Sequence, residues 1–197
     1  MNILRNLLFI TAFFVTLSAY SQDYKKAIND EFTTYITHLV NMEFEESMEF
    51  IPQSLFDIIP KDQMLMVIKQ AFNNPDIEIQ LRDPKILKIK DAEKIDDKFY
   101  ALLTYSNIMK MRYLSKKDET EEQTQFREEI TQQSLEKMFG KKNVSLNKTT
   151  GFFEIYVKKD VYAISQNGQN EWKFLAIEEN QKTLLEKLLP KKLTKKI

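Results

Sequence analysis

Apolar residues recur along this chain in two rhythms, and the change between them falls at Asp76. From Tyr24 onward, Ala27, Ile28, Phe32, Tyr35, Ile36, Leu39 and Val40 follow one another at steps of three and four, ending at Met42 or Phe44. That spacing predicts an amphipathic helix with one core-facing stripe. Glu43, Glu45, Glu46 and Glu49 crowd its last turns, where negative charge opposes the helix dipole, so a break near Phe44 and a restart before Pro52 are expected. Pro52 and Pro60 bracket a short segment, Gln53–Ile59. Lys61-Asp62-Gln63 then opens a second helix with Met64, Leu65, Ile68, Ala71 and Phe72 inside, and Asn73-Asn74-Pro75 stops it.

Beyond Asp76 the period drops to two. Ile77, Ile79 and Leu81 alternate with polar residues, Asp83-Pro84 interrupts them, and Ile86–Lys90 continues as a second short strand or as the first after a bend. Phe99–Leu114 is the longest strand expected. One of its faces carries Phe99, Ala101, Leu103, Tyr105, Asn107, Met109, Met111 and Tyr113 and is the more apolar, so it should look inward. Residues 118–139 are highly charged, with Phe126, Ile130, Leu135 and Met138 as a thin apolar stripe and Gly140 as a helix stop; an exposed helix laid over the domain is expected. Strands follow at Asn143–Leu146, Phe152–Val157, Val161–Ser165 and Glu171–Ile177, with Asn167-Gly168 as a hairpin signal. Glu179–Leu189 reads as a closing helix ended by Pro190. The fold class expected is therefore α+β: N-terminal helices packed on a curved antiparallel sheet, an extra charged helix between strands, and a short C-terminal helix.

Composition narrows the address and the chemistry. Arg5 is the only charged side chain before Gln22, an apolar run from Leu7 to Leu17 follows it, and Ala19-Tyr20-Ser21 supplies small residues ahead of Gln22. This is the layout of a secretory signal, so 1–21 is expected to be a signal peptide, 22–190 one domain and 191–197 a basic tail. The expected location is periplasmic or secreted, in a bacterial envelope, with no membrane span once the signal is cleaved. Basic and acidic side chains number 29 each, so no global field gathers nucleic acid or an anionic membrane. With no Cys and a single His, disulfides, thiolate sites and histidine-based metal sites are excluded. No cofactor is implied. Three glycines in the whole chain argue against glycine-rich phosphate loops.

The amphipathic first helix, the helix Lys61–Asn74, the strand Tyr100–Arg112 and the hairpin from Val161–Ser165 to Trp172–Leu175 together resemble the nuclear transport factor 2-like superfamily, the cystatin-like α+β cone shared with steroid isomerases and polyketide cyclases. The resemblance covers about Tyr24–Ile177, and the charged helix at 118–139 is an insertion relative to its simplest members. It implies a cone whose open end holds a ligand, with polar groups on the long strands. Leu103, Tyr105, Asn107 and Met109 are then the residues of a pocket. Asn107 stands out, since a buried amide needs a partner, and Met109 suits an adaptable apolar site.

Candidate catalytic groups are few. His38 is the one side chain whose ordinary pKa lies near neutrality, but its helical position sets it beside the apolar stripe, and no Gly-x-Ser-x-Gly elbow accompanies it. The carboxylate pairs Glu45/Glu49, Asp96/Asp97, Glu121/Glu122 and Glu128/Glu129 lie in charged surroundings, and Asp57 reads as a turn or cap residue. Three readings stay open: a non-catalytic exported domain for a small apolar ligand or a protein partner; an isomerase- or cyclase-like enzyme using Tyr105, Asn107 and His38 or Asp57; and a structural or interaction protein, often a homodimer, acting through its sheet face or acidic helix.

Overall fold

The computed structural model describes residues 23–114 and 119–195; the expected signal segment 1–21 lies outside them. Helix α1 covers residues 23–40. It ends at Val40, ahead of the break expected near Phe44; in the turn that follows, Met42 takes a left-handed backbone (φ 61°) and the Glu43 N–H donates back to the His38 carbonyl at 2.8 Å. This is a capping turn that frees the chain to reverse. Helix α2 (Phe44–Ser47) runs into a tight turn at Met48–Phe50, α3 is Gln53–Phe56, and α4 is Lys61–Phe72. Two of the acids that crowd this stretch are taken up by α4, where Glu45 pairs with Lys69 and Glu49 with Lys61.

Strand β1 (Ile77–Ile89) passes through Asp83-Pro84 instead of stopping there. Two register shifts, between Arg82 and Lys85 and between Ile86 and Lys88, absorb the proline and the left-handed Asp83 (φ 51°), and such bulges bend the strand. β2 (Glu93–Ile95) and β3 (Lys98–Tyr113) come next, then α5 (Glu121–Phe139), opened by a capping box between Thr120 and Gln123. β4 (Val144–Asn147) and β5 (Phe152–Ser165) follow. The latter is one strand where two were expected. Its charged centre tolerates the ladder because Lys159 pairs with Glu178 at 2.6 Å and Asp160 accepts from the Thr104 hydroxyl at 2.5 Å. β6 (Lys173–Ala176) closes the sheet.

All pairings are antiparallel, in the order β1-β3-β5-β4, with β2 on the edge of β3 and β6 on the edge of β5. Helices α6 (Lys182–Leu188) and α7 (Lys191–Thr194) come last. The segment expected as a basic tail thus contains a helical turn: Leu193 is buried and joins Leu185 and Leu189, while Lys191 and Lys192 stay exposed.

Three apolar clusters hold the layers together. On one sheet face Ala101, Leu103, Val161, Ala163 and Phe174 meet Ile28, Phe32 and Ile36 of α1, with Trp172 at the end. Farther along the same face Phe153, Ile155 and Val144 meet Leu135 of α5, with Met109 and Met111 against them. On the second face Tyr100, Tyr162 and Leu175 meet Leu55 of α3 and the leucines of α6 and α7. That cover stops near Leu102; beyond it no helix lies on the second face, where Ser106 is buried between strands and Phe152 is covered by Lys110 and Arg112. No helix among the described residues is long and apolar enough to cross a membrane.

Candidate functional site

The four residues expected to line a pocket do share one row of β3. Register places Leu103 opposite Val161, Tyr105 opposite Lys159, Asn107 opposite Val157 and Met109 opposite Ile155. The row runs from one core cluster into the next. Leu103 is fully buried in the α1 cluster. The Tyr105 ring lies 5.0 Å from that of Phe32 at a 60° tilt, and burial raises its phenol pKa. Met109 packs against the α5 cluster, and Asn107, only 7 % exposed, sits between the two. The Leu103–Tyr105 half of the row is therefore occupied by α1 side chains. Hollows among the described residues open elsewhere: along α4 at Asp62, Leu65, Met66 and Lys69, beside the β5–β6 turn at Gln53, Lys98 and Lys173, and at the two flanks of α5.

The catalytic candidates are scattered. His38 shares a 2.6 Å contact between its Nδ1 and a Glu43 carboxylate oxygen and lies against the Phe50 ring. Asp57, exposed at the end of α3, accepts from the Gln53 amide at 3.2 Å. Neither reaches Tyr105 or Asn107 through a hydrogen bond. No group of three metal-ligating side chains occurs among the described residues.

The acid that matters most to the fold was not singled out by its sequence context. Glu31 of α1 accepts from the backbone N–H groups of Glu171 (3.1 Å) and Trp172 (2.6 Å). Burial raises its pKa, and the two N–H donors pull the other way. This carboxylate ties the β5–β6 loop to α1 and seats Trp172, which is fully buried. The only signal was an acid between Ile28 and Phe32 in an otherwise apolar stripe; its partners lie far along the chain. The Trp172 Nε1–H has no partner among the described residues, so the indole is held by packing alone.

The surface carries the more unusual arrangement. Helix α5 was expected to turn Phe126, Ile130, Leu135 and Met138 inward, but only Leu135 goes in, at 4 % exposure, with Thr131 beside it. Phe126, Ile130 and Met138 face out at 65 %, 49 % and 68 % exposure. Phe126 and Ile130 are one turn apart on the outer side, whereas Met138 is rotated about 120° from Phe126, toward the edge that Thr131 and Leu135 bury. Exposed Glu122 and Glu129 flank the Phe126–Ile130 stretch, and exposed Lys137 lies on the same side two turns beyond Ile130.

On the uncovered half of the second sheet face, Ile108 pairs with Arg82 on one side and with exposed Tyr156 on the other. Lys85 and Lys158 flank Ser106 one row along, and Lys88 lies beside Thr104 in the next. Lys110 and Arg112 are neutralised, by Glu154 at 3.0 Å and Glu78 at 2.7 Å. Arg82, Lys85, Lys88 and Lys158 form no ion pair among the described residues. The chain that is neutral as a whole is thus polar in space, acidic and apolar outside α5 and cationic on the far side of the sheet. Compared with protein-family models, with curated proteins and with solved structures, this chain has no match in any of the three.

Proposed function

We propose that this chain is an exported, non-catalytic domain that binds a protein partner through the outward side of α5. The observation that carries the reading is the exposed pair Phe126 and Ile130, one turn apart on the side of the helix away from the Leu135 anchor, with Met138 also exposed further along. Exposing them costs stability that inward placement would have gained, and such a patch on a stable helix is the pattern of a surface that is covered when in use. Of the two partner classes expected, a protein is favoured over a small apolar ligand because α1 fills the Leu103–Tyr105 end of the row. Export rests on Arg5, the apolar run after it and Ala19-Tyr20-Ser21. The kinship to the nuclear transport factor 2-like cone is part of the same proposal, supported by α1 lying across one face of a bulged antiparallel sheet.

A photo-crosslinking side chain placed at position 126 tests the reading in cells that make the protein. Light-dependent adducts are expected from position 126 and none from position 26, an exposed site on α1. Equal yields from the two positions, or none from 126, overturn it.

A further inference from the structure

We infer that the partner of the α5 surface is the uncovered, cationic half of the sheet on a second copy of this chain, so that copies join head to tail. The inference rests on the functional reading above and names its partner. The chemistry of the two surfaces matches. Outside α5, Phe126 and Ile130 are bordered by Glu122 and Glu129, which form no ion pair among the described residues, with exposed Lys137 two turns beyond Ile130 on the same side. The sheet half offers the apolar centre Ile108 and Tyr156 beside Arg82, Lys85, Lys88 and Lys158, likewise without ion pairs among the described residues, against one exposed acid, Asp160, in the Thr104 row.

The sizes match too. From Glu122 to Ile130 the helix runs ~12 Å at ~1.5 Å per residue, and Thr104 to Ile108, the stretch of β3 beside the four cations, runs ~13 Å at ~3.3 Å per residue. Docking would bring opposite charges together and would cover apolar groups on both sides at once.

Placement then dictates the geometry of assembly. α5 packs on the face bearing Phe153 and Ile155, whereas Tyr156, Lys158 and Ile108 occupy the opposite face of the same strands. One copy therefore presents its two surfaces on opposite sides. The contact is heterologous, and each docking leaves a free helix at one end and a free sheet at the other, which makes chains or rings.

Sedimentation of the purified protein, with two variants, tests this. In low salt the wild type should grow beyond two copies as concentration rises, and high salt should reverse the growth. Arg82→Glu with Lys158→Glu removes the sheet surface, and Phe126→Ser with Ile130→Ser removes the helix surface. Circular dichroism melts verify that both variants are folded. Each alone should stay monomeric, since each lacks one half of the contact. Mixed one to one, they should form a complex that stops at two chains, because each supplies the surface that the other retains a partner for. A wild type that stays monomeric in low salt at submillimolar concentration, one that stops at two copies, or a mixture with no complex overturns the inference. If the wild type is monomeric while position 126 still crosslinks to another protein in cells, self-assembly fails and the broader reading of the α5 surface stands.

Discussion

Two helices close the same face of the sheet, and they are built on opposite plans. α1 turns Ile28, Phe32 and Ile36 into the core, leaves threonines and charges outside, and is pinned to the β5–β6 loop by Glu31. α5 anchors itself with Leu135 and Thr131 and holds Phe126, Ile130 and Met138 in water. Both are amphipathic in sequence, yet only α1 spends its largest apolar side chains on the fold. The difference separates a helix that stabilises from a helix that presents.

The sharpest way to break this comparison is to delete one phenylalanine from each. Phe32 is 1 % exposed and touches the rings of Tyr35, Tyr105 and Phe174. Phe32→Ala should cost ~3–5 kcal/mol, whereas Phe126→Ala should change stability by less than ~0.5 kcal/mol. Urea unfolding of both proteins gives the two numbers side by side, and similar costs would mean that α5 is not presenting its stripe to solvent.

Next in size is the loop that α1 holds. Gly168 has φ +70°, and a Cβ there would fall 2.6 Å from the Phe99 ring. Gly168→Ala should therefore destabilise by ~1–3 kcal/mol, seen as an earlier urea midpoint. An unchanged midpoint would mean that the loop is not clamped to the α1 end of the sheet.

A smaller effect is expected with alkali. The Tyr35 ring is enclosed by Phe32, Phe50 and Phe174, and burial raises its phenol pKa well above the ordinary 10.0. The folded protein then keeps that proton at a pH where the unfolded chain has lost it, so stability falls as pH rises past about 10. Tyr35→Phe should flatten that fall in urea midpoints taken from about pH 9 to pH 11. An equal fall in the variant would place the alkaline loss in the other tyrosines.

Most of the scaffold was legible from periodicity, because the residues that set it act locally. The switch at Asp76 marks the change from helix to sheet, and Phe99–Leu114 matches β3 within a residue at each end. The misread parts depend on contacts made far along the chain. Lys158-Lys159-Asp160 looked like a gap between strands, yet β5 continues because this stretch has one face open and pairs with Glu178 and Thr104. Lys191 and Lys192 masked Leu193, whose burial depends on α6. In α5 the large residues Phe126, Ile130 and Met138 outweighed Thr131 in the pattern, although Thr131 is buried beside Leu135 and they are not. Of the expected site, the shared row of Leu103, Tyr105, Asn107 and Met109 was readable from alternation. What fills it was not, since Phe32 arrives from another element.

The most direct measurement of the central claim places the crosslinking side chain at position 133, exposed on α5, in two backgrounds. One is the wild type and the other carries Phe126→Ser with Ile130→Ser. The account predicts an adduct in the first that disappears in the second, with the two melting temperatures the same within error. An adduct of undiminished yield in the serine background, at equal stability, would contradict the claim that the apolar row on α5 is what the partner holds.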